Sequence, residues 1–240
     1  MKFKYVSIVL IIFMSFATLT NVVGDEKNNA WEAIQANEYK KALKILNPLA
    51  KKGDIWAQWT LGIMHRDGIG IPQNYNLAFK WHSKAAKKGF VNAQFSIGVM
   101  YLNGLGVSKN FKIAKDWFIK ASDQKHKVAP HNIGVMYDEG HGVTQDDLLA
   151  FKWYSKAAER GYIQAQYNLG VLLLDEQSPL KNYIKSHMWI NLSYLHANDK
   201  EISSRSRNTL SKLEKTMTKE QIVKAQELAS QCYEKKFKGC

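Results

Sequence analysis

An all-α array of stacked helix–turn–helix repeats is the fold class this 240-residue sequence predicts, and three observations predict it. Trp81, Trp117, Trp153 and Trp189 stand 36 residues apart, as do Gly62, Gly98, Gly134 and Gly170. A Gly-X-Gly pair returns in the same register at 68/70, 104/106 and 140/142. Around those pairs the apolar residues fall at helical spacing: Ala93, Ile97, Met100 and Tyr101 before one pair, Ala114, Trp117, Phe118 and Ala121 after it. A repeat of this length is a supersecondary unit that cannot bury its apolar face alone and must stack on its neighbours.

Taken in order, the chain opens with Lys2 and Lys4, an apolar run from Val6 to Phe16, and the small-residue stretch Val22-Val23-Gly24. That pattern predicts a secretory signal peptide, residues 1–24, cut after Gly24. The apolar run is shorter than the ~20 residues a spanning helix needs, so a retained membrane anchor is the competing reading. The expected location is periplasmic or secreted. Residues 25–56 read as a partial repeat, because Ala42, Ala50 and Gly53 stand 36 before Ala78, Ala86 and Gly89; Trp31 to Ala36 would supply its shortened first helix. Four full units follow at 57–92, 93–128, 129–164 and 165–200.

Within a unit, Gly104 marks a left-handed helix end, and Gly98 and Ala114 let two helices approach closely. The column tryptophan is expected to wedge between neighbouring units. Gly89 and Gly161 stop the second helix; Lys125 in that column predicts a differently made connection to Pro130. The fourth unit is degenerate, with Glu176 and Ser178 in place of the glycines and Pro179 in the turn. Residues 201–240 are expected to form capping helices and a tail, with Thr218 and Gln221 as a capping box.

Hydrophobic residues at 45%, charged residues at 23% and four prolines describe a folded chain and exclude global disorder. The net charge of +13 comes from 34 basic and 21 acidic residues, but only Arg66, Arg160, Arg205 and Arg207 are arginine. Readers of nucleic-acid sequence lean on the arginine fork, so no specific nucleic-acid partner is expected. Residues 181–240 hold 12 basic and 6 acidic side chains, which suggests either an ordinary solvated face or contact with an anionic envelope surface. The two cysteines, Cys232 and Cys240, would lie ~12 Å apart on one helix, so a disulfide requires the chain to turn back near Gly239. An oxidising compartment favours the bond; two free thiols on a frayed tail are the alternative.

The motif Ala-X-X-X-Leu/Ile-Gly-X-X-Tyr-X-X-Gly-X-Gly-Val followed by Ala-X-X-Trp-Tyr-X-Lys-Ala-Ala-X-X-Gly reads most fully from Ala129 to Gly161. It resembles the Sel1-like repeat family, a relative of the tetratricopeptide repeat. The resemblance implies a right-handed α/α superhelical solenoid and a protein-interaction scaffold, often in bacterial envelopes, with no catalytic residues and no cofactor. Residues His187 to Leu192 and Met217 to Ile222 look like the tail that closes bacterial arrays of this type. By analogy with tetratricopeptide arrays, the first helices line a concave face. Three columns would then bind a protein or peptide partner: Trp59, Phe95, His131 and Tyr167; Ile63, Val99, Val135 and Val171; and Arg66, Leu102, Asp138 and Leu174. Asp67, Asn103, Glu139 and Asp175 flank them, which suits a segment with apolar anchors and basic flanks. The alternative is that the repeat's own packing buries these columns.

Rival chemistries are few. The Gly-X-Gly turns lack the third glycine and the preceding strand of a phosphate cradle. Ser122 with Lys125, and Ser178 with Lys181, match the Ser-X-X-Lys signature of β-lactamase-like serine hydrolases, the alternative function, but the companion Ser-Asp-Asn and Lys-Thr-Gly motifs do not occur. His131 and His141 beside Asp138 and Glu139 form the one cluster with metal-ligand chemistry, and a polar surface is the expected reading of it.

Overall fold

The computed structural model describes residues 22–176 and 178–240, so most of the expected leader lies outside the described residues. Those residues form twelve α-helices and no strand. They fall into two compact units, divided between Asn74 and Tyr75, inside the first full repeat.

The first unit contains α1 (Val22–Gln35), α2 (Tyr39–Lys51) and α3 (Ile55–Asp67), with α2 packed against both others. Ala30, Ala33, Ala42, Leu46, Ala50, Ala57, Leu61 and Met64 are buried, a core of small residues with a few large ones that lets helix axes approach. Asp54 starts α3 by accepting the Ala57 N–H at 2.8 Å, which satisfies a donor the helix leaves open. Lys27 pairs with the same carboxylate at 2.7 Å.

The second unit contains α4 (Tyr75–Lys87), α5 (Val91–Asn103), α6 (Phe111–Asp123), α7 (Ala129–Asp138), α8 (Asp147–Ala158), α9 (Ile163–Leu172), α10 (Tyr183–His196), α11 (Lys200–Leu213) and α12 (Lys219–Glu234). Each helix from α4 to α10 packs on the next, as antiparallel neighbours joined by short turns must, and α12 packs on α10.

In the second to fourth repeats the space beside the column glycine is filled by the residue that follows the column tryptophan. A Cβ on Gly98 would meet the Phe118 ring at 2.6 Å, one on Gly134 the Tyr154 ring at 2.5 Å, and one on Gly170 Ile190 at 2.4 Å. The column glycine is therefore a hole, and the residue after the column tryptophan is its knob; Phe118, Tyr154 and Ile190 are fully buried. Trp81, Trp117 and Trp153 are half-buried instead, with the ammonium groups of Lys84, Lys120 and Lys156 lying 4.5, 4.4 and 4.9 Å over their rings. Trp153 packs against the cluster that Ala114, Phe118 and Ala121 of the second repeat form with Ala129, Ile133 and Met136 of the third, as a partial wedge at that junction.

The connection at Lys125 is also made as in the other repeats. Lys125 takes a left-handed φ of 64°, in line with Gly53 (95°), Gly89 (86°) and Gly161 (68°). The same pair of backbone bonds closes this turn, His126 N–H to Ala121 O at 3.0 Å and Lys125 N–H to Ser122 O at 2.9 Å. A non-glycine residue there costs about 1 kcal/mol, which the stack tolerates.

A glutamine column joins successive helical pairs, and sequence reasoning passed over it. Gln58, Gln94 and Gln166 reach back to the carbonyls of Ala50, Ala86 and Ala158 at 3.0, 3.5 and 3.4 Å. Pro130 occupies the column in the third repeat and has no amide to give. There Arg160 donates to the equivalent Ser122 carbonyl at 3.2 Å and to His126 O at 2.9 Å.

The C-terminal end is closed by two helices. Leu210 of α11 joins Tyr167 and Ile190, while Ala229 and Cys232 of α12 join Met188, Trp189 and Leu192 of α10. Thr218 and Gln221 form the expected capping box. Cys232 and Cys240 are disulfide-bonded with Cα atoms 5.6 Å apart, the chain turning through left-handed Lys236, Phe237 and Gly239.

Candidate functional site

The first helices of the second unit, α5, α7 and α9, carry most of the columns expected to bind a partner, and packing sorts them. In the aromatic column, His131 and Tyr167 are buried at 8% and 9% exposure, and Phe95 is half-buried. Phe95 and His131 each meet aromatics from the following helix and turn, and Tyr167 meets a guanidinium. Phe95 stacks on His126 at 4.3 Å and leans on Phe118 at 5.6 Å. His131 meets Tyr162 at 5.0 Å and Tyr154 at 5.6 Å. Arg205 of α11 lies 4.8 Å over the Tyr167 ring, whose hydroxyl is 3.3 Å from Thr209 Oγ1. This column therefore belongs to the stack and offers little free surface. In the first unit, Trp59 and Ile63 are each 7% exposed, so they are buried as well.

The aliphatic column is partly covered in the second unit. Val99 and Val135 are half-buried and Val171 is exposed. In the third column Leu102 and Leu174 are half-buried, while Asp138 accepts the Tyr154 hydroxyl at 2.9 Å. Arg66, in the first unit, is held by Asp67 through two 2.7 Å bonds. Asn103, Glu139 and Asp175 are exposed beside these columns. What results is one aliphatic contact and one polar or acidic group per repeat along these helices.

The electrostatics beneath this surface serve the fold. Ala129 N–H donates to His126 Nδ1 at 3.1 Å, so the imidazole starts α7 as Asp54 starts α3. The Asn168 amide donates to His131 Nε2 at 3.1 Å. Both rings must be neutral at the accepting nitrogen. Burial lowers His126 to about 4, with the Arg160 charge adding to it. Burial likewise lowers His131 to about 4, against a smaller opposing bond from Asn132. Burial pushes the Tyr154 hydroxyl up, and Asp138 pushes it further.

The rival clusters disperse. His141 pairs with Glu139 at 3.2 Å and stacks on Phe111, whereas His131 and Asp138 serve Asn168 and Tyr154. Among the described residues no group of three or more potential ligands gathers around one point. Ser122 is fully buried with its hydroxyl sealed from solvent, and Lys125 is exposed. Ser178 Oγ accepts the Leu180 N–H, and Lys181 is engaged by Glu176. Neither serine is placed as a nucleophile beside its lysine base.

Successive helical pairs packed one on the next define the class of α-helical repeat protein. More particularly, four segments, 57–90, 91–126, 129–162 and 163–198, match the model of the Sel1 repeat, and the chain belongs to that family. Sel1 repeats generally serve as protein-interaction scaffolds. A solved Sel1 repeat protein from Oxalobacter formigenes is similar over 85% of this chain and 74% of its own, with 26% identity and a TM-score of 0.64. The c5321 protein of uropathogenic Escherichia coli, described as a protective antigen displaying an SLR fold, is similar over 89% of this chain with 23% identity and a TM-score of 0.72. This chain spans 46% of that protein's length. No curated protein matches the sequence. No helix among the described residues is long and apolar enough to cross a membrane.

Proposed function

We propose that the protein is a non-catalytic scaffold of the bacterial envelope or exterior that holds a basic, apolar-anchored segment of a partner protein along α5, α7 and α9. One observation carries the reading: Val99, Val135 and Val171 recur once per repeat with Asn103, Glu139 and Asp175 beside them, and although Val99 and Val135 pack partly against the core, each valine keeps some surface exposed. An aliphatic strip with an acidic edge favours partners with cationic flanks. The reading includes export through the N-terminal leader and a weak attraction of the basic tail to anionic surfaces, which would fall with added salt.

Affinity capture from envelope extract tests it, run with the wild-type chain and with Val99→Glu/Val135→Glu. The double variant should lose at least tenfold of whatever the wild type retains, while its thermal midpoint stays within a few degrees. Equal capture by both would refute the reading.

A further inference from the structure

We propose that the solvent side of α4, α6 and α8 is a second docking surface, for an acidic amphipathic helix of a partner protein, seated as α12 is seated over Trp189. The tryptophan column runs through all four second helices, but its fourth member stands apart. Trp189 is 3% exposed because α12 lies on it, bringing Ala229 and Cys232 against Met188, Trp189 and Leu192. The residues around the ring changed to match. Where α10 has Met188 and Leu192, the three open positions have Lys80 and Lys84, Asp116 and Lys120, and Lys152 and Lys156.

At those positions the indole is half-buried and carries a lysine ammonium 4.4 to 4.9 Å from the ring, that of Lys156 also lying 3.9 Å from Asp123. An exposed cation–π contact of this kind is weak and readily exchanged for a carboxylate. An incoming helix with small residues on one side and acidic residues beside them would draw the lysines off the rings and lay its small residues there. This is the α12 contact with the apolar neighbours of Trp189 replaced by ion pairs, and its partner is an acidic helix because lysine occupies the third position after every open tryptophan.

A synthetic helix of residues 219–234 provides the probe, with Lys219→Glu, Lys224→Glu, Cys232→Ala, Gln226→Glu and Ser230→Lys, the last two condensed through their side chains into a lactam on its outward side. Calorimetry against the full chain should detect binding that is at least tenfold tighter than that of poly-L-glutamate. Lys84→Glu/Lys120→Glu/Lys156→Glu should weaken the peptide at least tenfold without moving the thermal midpoint, and a peptide with Glu220→Lys and Glu227→Lys in an otherwise native sequence should prefer that variant. Val99→Glu/Val135→Glu should bind the acidic helix as the wild type does. The proposal is overturned if the peptide does not bind, if poly-L-glutamate binds equally well, if the lysine variant binds unchanged, or if the valine variant loses the peptide.

Discussion

At the scale of single residues, the repeats show how one structural need is met by different side chains. Lys125 stands in a glycine column at φ 64° with its turn intact, so Lys125→Gly should relieve the left-handed penalty and raise stability by about 1 kcal/mol, read as a higher urea midpoint. A lower midpoint would show that the lysine makes a contact worth more than its strain. Arg160 replaces the amide that Pro130 removed from the glutamine column. Arg160→Ala should therefore cost about 1–2 kcal/mol by leaving two carbonyls short of a donor, and Pro130→Gln in the same chain should recover part of that loss. No recovery would mean that the arginine acts by packing alone. The glutamine column was present in the sequence at Gln58, Gln94 and Gln166, but a polar residue inside an apolar pattern reads as surface until its acceptor, eight residues upstream, is known.

At the scale of the helix pair, the knob in each glycine hole carries the repeat. Phe118→Ala empties the space over Gly98 and should cost about 3–5 kcal/mol, whereas Trp117→Ala, at a half-buried position, should cost roughly half as much. Thermal melts of the two variants compare them directly, and equal losses would put the tryptophan back in the core. Both columns are large and apolar and sit about 100° apart on the helix, so hydrophobic periodicity alone could not rank them. The lysine three residues after Trp81, Trp117 and Trp153, absent after Trp189, was the legible sign of which indoles face solvent. Two inter-repeat contacts also set a pH response. His126 and His131 sit at about 4 in the fold, below the ordinary 6.5, so the unfolded chain binds their protons first. Their contribution is complete above about pH 6.5 and is lost as pH falls toward 4, by up to ~3 kcal/mol for each ring. Urea midpoints measured across that window should fall with pH. His126→Asn, which keeps an acceptor for Ala129 N–H and cannot titrate, should flatten the fall; an unchanged slope would clear His126 of the effect.

At the scale of the whole chain, the fold class and the four repeats were legible from the 36-residue period, and the capping box and the cysteine pair from spacing within one or two turns. The state of the binding columns was not. His131 and Tyr167 are covered by Tyr162 and by Arg205, residues more than thirty positions away in the sequence, and no local pattern announces which aromatic an adjoining turn will supply. Export is testable by intact mass: the leader reading predicts a chain beginning at Asp25, and a retained leader would refute it. The central claim is that the open side of the first helices is the working surface of this scaffold. Hydrogen exchange followed by mass spectrometry, with and without the captured partner, tests it most directly. The account predicts new protection in residues 96–103 and 132–139 and unchanged exchange in residues 111–123; protection confined to the second helices, or none in either set, would contradict it.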